Sequence, residues 1–178
     1  MLPQGMLDSI AENTDTEVCQ VAFWLMKSEP DAYSIDDLAR DGREPWDGIR
    51  NYQARNIMRD RMKLGDLVFV YHSVVTPQVI AGIARVSREA YPDHHARDPE
   101  SPYYDPRARA DDPRWVMVDL HAVRGLEPPV TRDELKACGE LEHMMLLKKG
   151  SRLSVQPVTA AEWAAVLALR GLNPESME

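Results

Sequence analysis

The longest stretch of this chain free of Asp, Glu, Lys and Arg runs from Leu67 to Ala84, "LVFVYHSVVTPQVIAGIA". A membrane-spanning helix needs about 20 consecutive apolar residues, but His72, Ser73, Thr76, Pro77 and Gln78 sit in the middle of this run. Two core strands joined by a turn accommodate those polar groups, because the turn carries them out to its tip. The chain is therefore read as a non-membrane fold around a buried pair of strands, "LVFVYHS" and "VIAGIARVSREAY", with Gly82 marking a bulge or curve in the second.

Local signals place the other elements. "VAFWLMK" makes an apolar strand that Pro30 terminates. Ser34 caps a short helix with Asp37 three residues on and Gly42 after its last turn. A second helix covers about Asn51 to Met62, with Ala54, Ile57, Met58 and Met62 as its buried stripe. Residues 92–113 hold five of the 13 prolines and form a long irregular loop, the kind that is usually functional or disordered. "RWVMVDLHAV" returns to strand, Thr131 and Glu134 form a capping box, and a further short helix is expected from Leu141 to Lys148. "RLSVQPV" is the last strand, and a helix boxed by Thr159 and Glu162 closes the chain near Gly171. Five strand candidates interleave with short helices without strict alternation. The expected class is α+β, built on a small curved β-barrel of about five to six mostly antiparallel strands surrounded by short helices.

At 178 residues, 44% hydrophobic and 28% charged, the chain fits one domain. The expected boundaries are a flexible acidic tail over 1–20, one domain over 21–172 and a short tail over 173–178. Two cysteines, Cys19 and Cys138, form neither a CxxC pair nor a disulfide framework. With no secretory leader evident, a reducing compartment is expected: the cytoplasm, or the nucleus of a eukaryote. The net charge of -8 argues against a protein that coats nucleic acid nonspecifically. The distribution matters more than the total. Asp8, Glu12, Asp15 and Glu17 acidify residues 1–20 without a Lys or Arg, while Arg50, Arg55, Arg59, Arg61 and Lys63 face only Asp60 over 50–63.

The basic segment opens with "WDGIRNYQARN", which is rich in stacking and hydrogen-bonding groups and poor in aliphatic ones. Asn51, Arg55 and Arg59 share one helical stripe. Two like charges at that spacing cost about 0.2–0.5 kcal/mol, which an anion or an acidic neighbour would remove. The same mixture recurs at strand ends: Trp24, Lys27 and Ser28 in "WLMKSEP", Tyr71, His72 and Ser73 in "VYHS", and Arg152, Ser154 and Gln156 in "GSRLSVQP". Each has an ordinary structural role open to it. Together they supply rings to stack on a flat heteroaromatic ligand, amides and hydroxyls to read its edge, and cations to meet phosphate.

Catalytic motifs are missing. The nine glycines make neither GxGxxG nor GxxxxGK[ST], and no GxSxG elbow occurs. Asp93, His94 and His95 lie in the proline-rich loop without helical ligand spacing, so no metal and no cofactor are expected. A Ser28, His72 and Asp47 hydrolase remains the enzyme alternative.

The motifs "MKSEP", "YSIDDL", "WDGIRNYQARN", "VYHS", "GIARV", "AYPD", "YYDP", "PRWVMVDL" and "GSRLSVQPVT" occur in that order over about residues 23–170. In this the chain resembles the EVE-domain family. The resemblance implies a PUA-like fold and a non-catalytic module that binds nucleic acid, modified DNA first and RNA as the alternative, by taking in a base such as modified cytosine. Carried over position by position, the motifs cover Lys27, Ser28, Trp46, Arg50, Asn51, Tyr52, Arg55, Tyr71, His72, Ser73, Arg152, Ser154 and Gln156. With Trp24 added as a further candidate ring, the residues expected at the base are Trp24, Lys27, Ser28, Trp46, Asn51, Tyr52, Tyr71, His72, Ser73 and Ser154. Arg50, Arg55 and Arg152 then fall at phosphate. Tyr103 and Tyr104 make the proline-rich loop a candidate gate.

Overall fold

The computed structural model describes residues 21–177; the acidic tail expected over 1–20 lies outside them. The order is β1 (Phe23–Ser28), α1 (Ile35–Asp41), β2 (Glu44–Trp46), α2 (Tyr52–Asp60), β3 (Leu67–His72), β4 (Val79–Pro92), β5 (Val116–Thr131), α3 (Arg132–Ala137), β6 (Val155–Val158) and α4 (Ala160–Ala168). Six strands form one sheet in the order β2-β5-β4-β3-β1-β6. Only β1 and β3 run parallel; the other neighbours are antiparallel. This is the expected α+β, PUA-like architecture, with the sheet curved but left open between β2 and β6.

Both faces of the sheet are covered, which explains the uninterrupted apolar run at β3. Alternate side chains go to opposite cores. Trp24, Met26, Val68 and Val70 pack under α1 and α2, while Leu25, Leu67 and Phe69 pack under α3 and α4. On the second face Trp163 of α4 stacks on Phe69 with ring centroids 3.8 Å apart. Ala54, Ile57, Met58 and Met62 are buried as their spacing requires. The register of β4 against its neighbours shifts at Gly82, which also lets α1 approach the strand. A Cβ there would stand 2.5 Å from Ile35 Cγ1 and 2.7 Å from the Arg124 carbonyl oxygen.

The structure departs from the sequence reading at three places. The helix expected from Leu141 to Lys148 is two 3-10 turns, Gly139–Leu141 and Met145–Leu147. Leu141, Met144 and Leu146 all point inward, a spacing that no single α-helical stripe supplies. Strand β5 continues past Val123 through Gly125, Pro128 and Pro129, because the long β4 pairs with it as far as Thr131. Strand β2 was not expected at all. It is three residues long and contains Pro45, which an edge position tolerates. Among the described residues no helix is long and apolar enough to cross a membrane.

Candidate functional site

A cavity of about 450 Å³ opens where the C-terminal end of β1 comes close to β2 across the curved sheet. Lys27 and Ser28 line it from β1, Glu29, Ala32 and Tyr33 from the following turn, and Glu44, Pro45 and Trp46 from β2. Asp47, Gly48, Ile49 and Tyr103 complete the wall.

Each wall is fixed locally. The Ser28 carbonyl accepts from the Ser73 N–H at 3.0 Å and the Ser73 hydroxyl at 3.2 Å, which anchors the end of β1. Lys27 donates its backbone N–H to the Ser154 carbonyl at 2.9 Å and its Nζ to the Ser151 carbonyl at 3.1 Å. Ser34 caps α1 in a reciprocal box with Asp37 and so sets the position of Tyr33 just before it. The Tyr33 hydroxyl donates to Asp41 at 3.3 Å. Gly48 has a φ of 71°, and a Cβ there would meet the Tyr103 ring at 2.8 Å. Tyr103 therefore rests directly on a backbone that only glycine suits.

Arg50 holds that ring in place. Its Nε donates to the Tyr103 carbonyl at 2.7 Å, with Nη2 on the same oxygen, and its Nη1 donates to Asp93 Oδ2 at 2.8 Å and to the Ile49 carbonyl at 3.2 Å. The Asp93 side chain is fully buried. His95 pairs with Asp47 across the cavity rim, and that bond raises the imidazole pKa. Asp105 accepts from the Arg107 backbone N–H at 3.0 Å and from the Trp115 indole N–H at 2.8 Å, and these bonds hold its carboxyl pKa at about 2. The proline-rich loop is thus tied at both ends, with Tyr103 presented to the cavity.

The polar groups of the lining differ in what they lack. Ser28 Oγ is buried without a hydrogen-bond partner among the described residues. Burial pushes the Glu44 carboxyl above its ordinary value, reinforced by Asp47, Asp41 and Asp119. Burial, with Arg132 assisting, lowers the ammonium pKa of Lys27. The loop "KKGSR", whose Ser151 carbonyl accepts from Lys27, carries Lys148, Lys149 and Arg152, all exposed and in no ion pair among the described residues.

Of the residues singled out from sequence, Lys27, Ser28 and Trp46 line the cavity. Trp24 does not. It is 2% exposed in the core, with its indole N–H on Asp66 at 2.8 Å and the Arg61 guanidinium over its ring. Tyr71 is buried and donates to Gln78. His72 pairs in register with Ser28, its Nε2 buried and unpartnered and its pKa lowered by that burial. Ser28 Oγ has no partner and Asp47 is bonded to His95, so the three residues of the hydrolase alternative form no proton relay.

Asn51 caps α2 by accepting from the Ala54 N–H at 3.0 Å. Tyr52 stacks on Trp115 at 4.9 Å and its hydroxyl accepts from Arg114. Arg55 covers the Tyr52 ring and donates to the Arg114 carbonyl. Tyr52 and Arg55 dock α2 onto the return of the loop into β5, and Arg50 pairs with Asp93. Ser154 contributes its carbonyl to β1, and Gln156 bonds Ser151 and Leu153.

Sequence reasoning missed Tyr33 and Glu44 as lining residues, and for Glu44 no local signal exists. Gly48 had one, since Asp-Gly marks a turn. Asp47, Asp93 and His95 bring ligand atoms within 4.8 Å of one another, a trio the sequence spacing did not suggest. The Arg50 guanidinium already supplies positive charge to Asp93 there, so the trio acts as a latch between the loop and the segment after β2.

Comparison with known proteins places the chain in a family with solved structures. A family model described as the EVE domain matches residues 22–169. Thymocyte nuclear protein 1 of Homo sapiens is 41% identical over 172 residues, covering 86% of this chain and 76% of that protein. A solved structure from Pseudomonas putida is 51% identical, with a TM-score of 0.81 over 84% of this chain and 99% of that one. Human THYN1, solved in complex with DNA containing 5-methylcytosine, is 41% identical, with a TM-score of 0.79 over 86% of this chain and 99% of that one.

Proposed function

This chain belongs to the EVE-domain family, and from that premise we propose that it is a non-catalytic nucleic-acid-binding module that takes a modified base, modified cytosine in DNA foremost, into the cavity between β1, β2 and Tyr103. The observation that carries the reading is the makeup of that cavity. Three aromatic side chains, Tyr33, Trp46 and Tyr103, share it with an unpartnered hydroxyl and an unpaired half-buried carboxyl. Its volume of about 450 Å³ lies in the range of sites that enclose one small ligand and is far too small for a duplex. A base must therefore leave its stack to enter. The relative solved with 5-methylcytosine DNA supports the choice of ligand.

Energetics point to modest affinity. Stacking contributes about 1–3 kcal/mol per base, offset by a few kcal/mol to extrude the base from duplex. The remainder comes from phosphate contacts, for which the exposed Lys148, Lys149 and Arg152 are available in the loop whose Ser151 carbonyl binds Lys27. Each such contact contributes about one unit to the slope of log affinity against log salt. The test is a titration of oligonucleotides carrying cytosine or 5-methylcytosine at two salt concentrations, with RNA of the same sequence as competitor. Tighter binding of the modified DNA, weakening with salt, is expected, and Arg152→Ala should flatten the salt slope by about one. Absence of binding to every oligonucleotide would remove the proposal, and preference for RNA would redirect it.

A further inference from the structure

We infer, resting on the base-in-cavity reading, that Glu44 reads the base edge and selects a cytosine-type edge over a thymine- or uracil-type one. Glu44 lies on β2 and lines the cavity opposite Lys27 and Ser28 of β1, with β5, β4 and β3 between the two strands in the sheet order. Its side chain makes no hydrogen bond or ion pair among the described residues, and the acids around it are otherwise engaged. Asp47 bonds His95, Asp93 bonds Arg50, Asp41 bonds Arg40, and Asp119 holds Tyr91 and Arg43. Glu29, the third carboxyl of the lining beside Glu44 and Asp47, is exposed. A half-buried carboxyl without a side-chain partner keeps its acceptor capacity available to a ligand donor.

The chemistry names the donor. A cytosine edge sets an exocyclic amine, which donates, beside a basic ring nitrogen. One carboxyl oxygen accepts from the amine. The other shares a single proton with the ring nitrogen, whether that proton starts on Glu44 or on the base. Thymine presents a ring N–H beside a carbonyl oxygen. A protonated carboxyl can accept from the first and donate to the second, but that carbonyl is far less basic than cytosine's ring nitrogen, so the proton is held less tightly. The bound cytosine complex therefore takes up a proton relative to ionised free protein plus free base, and thymine gives a smaller gain. Asp47, Asp41 and Asp119 favour the protonated pair, whereas His95 and Lys27 oppose it; Tyr33 and Glu29 complete the titratable surroundings.

Binding of DNA carrying 5-methylcytosine opposite an abasic site should exceed that of the thymine counterpart by about tenfold, the scale of one bidentate base contact. The abasic partner removes any difference in the cost of extrusion, and both bases carry the same methyl group. Affinity for 5-methylcytosine should rise as pH falls from 8 to 6, because the complex gains a proton. Glu44→Gln can turn its amide to suit either edge, so it should lose both the preference and the pH slope. His95 and Asp47 are intact in that variant, so the difference between the two pH profiles isolates Glu44. If the native protein binds 5-methylcytosine but shows no preference and no slope, or if Glu44→Gln keeps both, the inference is overturned while the base-in-cavity reading stands. If the native protein binds neither oligonucleotide, that reading fails first. The native pH slope is read without any variant, so a misfolded Glu44→Gln would not shield the inference.

Discussion

Two aromatic assemblies flank Arg50, and they use the same residue types to opposite ends. On one side the guanidinium lies 5.5 Å from the Trp115 ring, which Tyr52 stacks upon; on the other it lies 5.7 Å from Tyr103, which rests on Gly48. In the first assembly every ring is covered by another ring or a guanidinium, and the Tyr52 hydroxyl, Trp115 indole and Asn51 amide all have partners. In the second, Tyr103 opens onto a cavity whose serine hydroxyl and glutamate carboxyl have none. Composition alone does not separate a seam that fastens a helix from a site that awaits a ligand. Polar groups beside an open cavity do, since a buried unpartnered atom such as Arg114 Nε also occurs in the seam.

Removing the shared residue should have the largest effect. Arg50→Ala leaves the fully buried Asp93 carboxylate without its cation. Breaking a buried pair from one side costs about 3–5 kcal/mol, and the lower end suits an arginine still partly open to water. Urea unfolding should show that loss. Binding should fall as well, because the same guanidinium holds the Tyr103 carbonyl. Unchanged stability would mean that Arg50 fastens neither assembly.

Next in size is a matched pair of truncations that pulls the two assemblies apart. Tyr103→Ala should weaken base binding by about 1–3 kcal/mol, the range for one lost stacking partner. Unlike Tyr52, Tyr103 stacks on no other ring among the described residues, so stability should change little. Tyr52→Ala should do the reverse, costing about 0.5–1.5 kcal/mol of stability for the lost aromatic pair and leaving the affinity alone. Binding and unfolding measured on both variants would break the comparison if the two patterns were exchanged.

Much of this was legible in the sequence because it is written in local chemistry. Ser34, Thr131 and Thr159 announce their helices by a box three residues long, and each box is present. The charge-free run gave β3 and the start of β4. The site was legible only on the β1 side. Lys27 and Ser28 sit at a strand end marked by Pro30, whereas Glu44 and Tyr103 reach the same cavity from an unannounced edge strand and an irregular loop. Their proximity depends on sheet curvature and on the Arg50 clamp, neither of which has a periodic signature. Tyr52 and Arg55 looked like ligand groups for a related reason: stacking and charge pairing serve a seam as well as they serve a base.

The smallest effect concerns the latch between the loop and the segment after β2. His95 accepts a raised pKa from its bond to Asp47, so the pairing stabilises the fold most below the unfolded imidazole value, and the stabilisation is lost as pH rises through the folded one. The His95 side chain is 40% exposed, and solvent screening holds its contribution below about 1 kcal/mol. The unfolding free energy of the native protein minus that of His95→Gln should therefore be positive near pH 6 and shrink toward zero by pH 8.5. Because the latch adjoins the cavity, the same variant should bind a base at pH 8.5 as the native protein does. A His95→Gln difference that grew with pH would place the imidazole in its neutral form as the better partner, and Asp47 would then be held by the segment after β2 instead of by the loop.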